Sequence, residues 1–145
     1  MVQVVLPNDA NPLGFILGGT VMHLIDIAGA IACHRHSRSR VVTAAVDDLV
    51  FLHPIKVGDL IILNAHVTCT FTTSMEVQVE VFSEEALTGV RQLTSRAFLT
   101  FVAIGADGEH VAVPPLRVDS ADEECVCTEA HARRAQRLRR RAETQ

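Results

Sequence analysis

Hydrophobic and polar positions alternate strictly in two stretches of the chain. In residues 63 to 71, Leu63, Ala65, Val67, Cys69 and Phe71 alternate with Asn64, His66, Thr68 and Thr70. In residues 75 to 81, Met75, Val77, Val79 and Val81 alternate with Glu76, Gln78 and Glu80. A period of two over this length predicts half-buried antiparallel strands, joined here by a tight connection at Thr72-Thr73-Ser74. Residues 41 to 51 (VVTAAVDDLVF) and 90 to 104 (VRQLTSRAFLTFVAI) predict two further long strands, with turns at 53–59 and 83–89. A short β-prone segment, residues 2 to 6, stops at Pro7. The stretch "PNDANPLG" after it reads as an ordered loop.

The pattern between residues 15 and 36 is different. Gly18-Gly19 opens a helix carried from about Thr20 to His36, and its apolar residues fall on nearly every face. Such a helix is expected to be enclosed by other structure. One long central helix followed by antiparallel strands is an α+β domain, with a sheet of about five to six strands wrapping one face around the helix. Residues 1–116 are expected to form this domain. Residues 117–145 are a charged tail, acidic in "VDSADEECVCTEA" and basic in "HARRAQRLRRR", expected to be partly helical and exposed.

At 145 residues the chain can bury a real core, and 48% hydrophobic with 21% charged residues describes a globular protein. A net charge of −4 with no Tyr or Trp argues against a nucleic-acid partner. No secretory leader is evident, and the run from 15 to 33 holds His23 and Asp26, too polar for a membrane span. Cys33, Cys69, Cys125 and Cys127 lack CxxC or zinc-ribbon spacing, so they read as free thiols in a reducing compartment, with the cytoplasm as the expected location. His34 and His36 lie about 200° apart around a helix, so they cannot share an ion, and no metal or other cofactor is expected.

Asp26 is the anomaly. It sits amid Met22, Leu24, Ile25, Ile27, Ala28 and Ala30, and burying an unpaired carboxylate costs several kcal/mol or more. A structural reading pairs it with His23 one turn earlier; a functional reading makes it a general base or nucleophile. Gly18 and Gly19 offer unpaired N–H groups at the positive end of the helix, a ready oxyanion site. Asn11 in the preceding loop supplies an amide, or merely an Asx turn before Pro12. Gly18 and Asp26 are about 12 Å apart along one helix, so they converge on one carbonyl only if the partners come from another copy of the chain. Asp47 and Asp48 are rival carboxylates, with Asp47 expected to make structural hydrogen bonds near the helix.

The segments "NDANPLGFILGGTVMHLIDIAGAIACHRHS", "VVTAAVDDLVFLHPIKVGDLI", "TTSMEVQVEV", "LTG" and "AFLTFVA" together resemble the hotdog-fold acyl-CoA thioesterases, within them the cytosolic acyl-CoA hydrolase group. The resemblance covers roughly residues 5 to 115 in order. It implies a single hotdog domain, hydrolysis of acyl-CoA to free acid and CoA without cofactor, and sheets paired edge to edge in a dimer with composite active sites, commonly a trimer of dimers. It also implies the site. Asn11, Gly18 or Gly19, and Asp26 match the family's catalytic positions, with Asn11 and the glycine N–H meeting Asp26 across the dimer. Arg35, Arg38, Thr43, Ser74 and Met75 are the residues it implies for substrate and CoA, and Arg40 lies in the same basic cluster. Leu17 departs from the aromatic residue or His that relatives often carry before the glycine pair, which bears on acyl-chain preference. Two other readings stand beside this one: a regulatory hotdog protein that binds acyl-CoA without hydrolysing it, and a dehydratase using His23.

Overall fold

The structure, a computed structural model, describes residues 1–144. The chain runs β1 (Val2–Val4), a 3-10 turn (Pro7–Asp9), α1 (Gly18–Ser37), β2 (Arg40–Phe51), β3 (Leu60–Thr70), β4 (Ser74–Glu84), β5 (Arg91–Ile104) and α2 (Ala121–Thr144). The strands form one antiparallel five-stranded sheet in the order β1-β3-β4-β5-β2. This is the expected helix-in-sheet α+β architecture, a single hotdog domain. Among the described residues, no helix is long and apolar enough to cross a membrane.

The alternation along β4 and β5 is what makes the core. Met75, Val77, Val79 and Val81 of β4 lie across from Phe101, Leu99, Ala97 and Ser95 of β5, so their side chains share one face. Onto that face α1 lays Val21, Leu24, Ile25, Ala28, Gly29 and Cys33, a stripe at three- and four-residue spacing. The helix ends at Arg38, which takes the left-handed conformation (φ 54°) and donates its N–H to the His34 carbonyl.

The enclosure expected from an all-round apolar helix is only half met. Met22, Ile27 and Ile31 of α1 stay exposed, as do Val42, Val46 and Val50 of β2. One sheet covers one stripe of a helix, and β2 is an edge strand with no neighbour beyond it.

The segment beyond residue 117 is helical and mostly exposed, with Ala130 its one buried residue among those described, but it is not a free tail. Helix α2 lies against the sheet and is tied to it by ions, rings and a covalent bond. Glu76 of β4, buried at 2% side-chain exposure, takes a two-pronged pair from Arg133: Nε to Oε2 at 2.9 Å and Nη2 to Oε1 at 2.8 Å. The Thr68 hydroxyl donates a third bond at 2.7 Å. Donating these hydrogen bonds to the Glu76 carboxylate holds the Arg133 guanidinium above its ordinary pKa. That guanidinium lies 3.6 Å over the Phe98 ring. Arg137 pairs with Asp47 at 2.8 Å, so Asp47 serves α2 and not α1, as the sequence pattern had suggested. A bulge between Asp47 and Val50, with Asp48 at φ 53°, breaks the alternation on which that assignment rested.

Cys69 and Cys127 are joined by a disulfide, which corrects the reading of all four cysteines as free thiols; Cys33 and Cys125 are free. Burial pushes the Cys33 thiol up to about 12. Alkylation of the native protein at pH 8 should therefore label Cys125 alone, unfolding should add Cys33, and reduction should add the remaining pair, with the labels counted by mass spectrometry. Cys127→Ser should lower stability by about 3–4 kcal/mol, read by denaturant unfolding, because the bond closes a long loop in the unfolded chain. Stability should also decline as pH rises from about 9 toward 12. The unfolded chain releases the Cys33 proton there while the folded chain keeps it, which gives a slope of up to about 1.4 kcal/mol per pH unit.

Candidate active site

The loop before α1 is a small hairpin built around Asn11. The Asn11 N–H donates to the Phe15 carbonyl at 2.8 Å, and the Gly14 N–H returns to the Asn11 carbonyl at 3.0 Å. Gly14 has φ +87°, the turn conformation a side chain would strain. The Asn11 side chain closes the loop from inside: its Oδ1 accepts the N–H groups of Leu13 (3.0 Å) and Phe15 (3.1 Å). Both neighbours are donors, so the oxygen faces them. Nδ2 is left without a partner among the described residues. Asn11 is therefore both the Asx turn and a held amide donor.

Helix α1 begins on Gly18 behind Leu17, which provides no side-chain cap. The first helical acceptor, the Leu17 carbonyl, is taken by Thr20 and Val21. The N–H groups of Gly18 and Gly19 have no acceptor among the described residues. They sit at the positive end of a twenty-residue helix.

Two turns on, Asp26 is half-buried rather than enclosed. It faces β2, where the Thr43 hydroxyl donates to its Oδ1 at 2.6 Å. His23 is not its hydrogen-bond partner. The Thr43 bond fixes one carboxylate oxygen and leaves Oδ2 without a hydrogen-bond partner among the described residues. Gly19, Met22, His23, Asp26, Thr43 and Val46 line one cavity of about 360 Å³, a mostly apolar cleft with one carboxylate on its wall. The cleft is open because nothing in the single chain lies beyond the β2 edge.

The other residues implied for CoA are not gathered at this cleft. Arg35 and Arg38 are exposed at the opposite end of α1 from Gly18, with Arg40 beginning β2. Ser74 begins β4, half-buried. Met75 is fully buried in the core opposite Phe101, so its side chain offers nothing to a surface ligand. Asn11 and Asp26 are likewise not in contact within one chain. Cys69, Cys127 and His131 lie within 4.8 Å of one another, a metal-like grouping that the sequence reading did not raise. With both sulfurs bonded to each other, only His131 remains as a ligand. Glu76 and Arg133 also escaped the sequence reading. The one available signal was Glu76 as an acid in a strand, answered by a basic helix.

The thioesterase superfamily model matches residues 13–90, and the chain belongs to that hotdog thioesterase superfamily. The uncharacterized acyl-CoA thioester hydrolase YkhA of Bacillus subtilis is 38% identical over 141 residues, covering 97% of this chain and 82% of that protein. Mouse acetyl-coenzyme A thioesterase is 32% identical over 95% of this chain, but the chain spans only 25% of its length. Among solved structures, an apo-hexameric acyl-CoA thioesterase superposes with TM-score 0.92 at 41% identity, covering 98% of this chain and 91% of that one. A Staphylococcus aureus acyl-CoA hydrolase in complex with butyryl coenzyme A and coenzyme A superposes at 0.90 with 34% identity, over 99% and 88%.

Replacing Asn11 by Ala removes the acceptor for two loop N–H groups and should cost about 1–2 kcal/mol in denaturant unfolding. Asn11→Asp keeps the acceptor and should restore most of that stability. Comparing the two separates the amide's structural role from its donor role.

Proposed function

We propose that the chain is an acyl-CoA thioester hydrolase that releases free acid and CoA, with Asp26 as its catalytic carboxylate. The observation that carries the proposal is the Thr43-held Asp26 on the wall of an apolar cleft. Relatives named acyl-CoA thioester hydrolases support it. So does the S. aureus hydrolase, for which structures exist with an aspartate, an asparagine and a threonine each replaced by alanine. Those three residues are spaced along its chain as Asp26, Asn11 and Thr43 are here.

In this reading the thioester carbonyl rests on a Gly18 or Gly19 N–H, where the helix dipole favours the tetrahedral oxyanion. The Asn11 Nδ2 donates to the same carbonyl or to water. Asp26 Oδ2 deprotonates the attacking water, or attacks directly to give a mixed anhydride that water then opens. The CoA thiolate leaves readily, so no strong acid is needed.

Gly18 and Asp26 lie about 12 Å apart on one helix, which requires the oxyanion groups to come from a second copy. The exposed apolar strip of α1 and the free edge of β2 supply the surface, and a trimer of such dimers matches the hexamer among the solved relatives. Arg35, Arg38 and Ser74 then serve CoA from the rim, in the same copy or the next. Relatives named cytosolic support a cytoplasmic location, with the Cys69–Cys127 bond as the feature at odds with a reducing one.

His23 lines the same cleft, which keeps a dehydratase in view; release of free CoA in the assay below would exclude it.

Asp26→Asn should lower kcat on the order of 10²-fold or more while CoA still binds, read by chromatography of released CoA. Thr43→Val should lower kcat by about tenfold with little change in KM, since it frees the carboxylate without removing it. Mixed oligomers of Asp26→Asn and Asn11→Ala chains should regain activity that neither variant has alone. Tight acyl-CoA binding without turnover in the unaltered protein would instead establish the regulatory reading.

A further inference from the structure

A second cavity, about 290 Å³, opens at the start of α1. Gly18 lines it, and Ile16, Val21, Phe51 and Ile55 give it apolar walls. His53 at the rim and Ser95 of β5 are the polar side chains in the lining, and of the two Ser95 is the buried one. Its cross-strand neighbours are Val81 on one side and Phe51 on the other, so its side chain shares their face of the sheet, toward α1. Ser95 is 1% exposed, and its Oγ has no hydrogen-bond partner among the described residues. The adjacent Thr94 is equally buried but donates to the Val81 carbonyl at 3.0 Å. A hydroxyl left unpaired beside a carbonyl-rich sheet is uncommon, because an unmade buried hydrogen bond is expensive.

We propose that this cavity receives the acyl chain and that Ser95 determines specificity, favouring a chain with a hydroxyl or keto oxygen close to the thioester. The inference rests on the hydrolase reading above. A thioester carbonyl held by the Gly18 N–H puts the first carbons of the chain at the mouth of this cavity, since Gly18 forms part of its lining. At about 30 Å³ per heavy atom the space holds roughly ten, a short or medium acyl chain. A fully apolar chain fills the walls and leaves the Ser95 hydroxyl unpaired. A chain with an oxygen on its proximal carbons fills the same walls and gives that hydroxyl a partner. Sites built to hydrogen-bond a substrate group discriminate strongly against the analogue that lacks it.

The test is kcat/KM for butyryl-CoA and hexanoyl-CoA against their 3-hydroxy counterparts, in the unaltered protein, Ser95→Ala and the nearly isosteric Ser95→Cys. The unaltered protein should prefer the 3-hydroxyacyl substrates by about tenfold, and both variants should bring that ratio close to one. Removing an unpaired hydroxyl orphans nothing, so Ser95→Ala should melt where the unaltered protein does. A preference ratio that is the same in all three proteins overturns the inference and leaves the hydrolase reading standing. Failure of the unaltered protein to release CoA from any of the four substrates overturns the hydrolase reading itself, and the inference with it.

Discussion

Helix α1 approaches the sheet at Gly29, where any side chain would meet Phe101 at 3.1 Å and Val77 at 3.2 Å. With no Cβ there, the helix backbone lies directly on β4 and β5, and the stripe above and below it is drawn into the core. The same contact fixes the rotation of the helix. With Ile25, Ala28 and Gly29 turned down onto the sheet, Asp26 is turned sideways toward Thr43 on β2. The carboxylate owes its position to a glycine three residues away. A larger residue at Gly29 would lift the helix and move the carboxylate with it.

The two faces of the sheet are covered by different physics. The α1 face is dry and apolar. The α2 face carries Glu76 and Asp47, each answered by an arginine from the helix, with Phe98 beneath one guanidinium. Buried ion pairs of this kind contribute little over an apolar contact of the same shape, but they penalise every misplacement of the helix. They specify where α2 lies more than how firmly it is held; the disulfide does the latter.

Period-two patterning made the strands legible from the sequence to within a few residues, because one face of each is buried and the other is not. The helix was legible too, from Gly18-Gly19 and its apolar run. What misled was the inference from apolar all round to buried all round. Met22, Ile27 and Ile31 are apolar and yet exposed, and a single sequence does not say where its own sheet stops. Asp26 stood out for its surroundings. Its real partner, Thr43, is seventeen residues on and reachable only through the strand that follows. Asp47 was misassigned because a bulge at Asp48 interrupts the alternation, and no residue there announces it. The Cys69–Cys127 bond and the Glu76–Arg133 pair join positions far apart in the chain, and neither has a local signature.

Chain order gives the α2 face a history. Arg133 lies 57 residues after Glu76, so at about 5–20 residues per second a ribosome delivers it roughly 3 to 11 seconds later. β5, which joins β2 to the rest of the sheet, is made within that interval, and from then until α2 follows, no helix lies over Glu76, Asp47 and Cys69. Over that stretch of synthesis the sheet has only its α1 face packed, and the charges of the other face stay hydrated until the helix arrives to cover them.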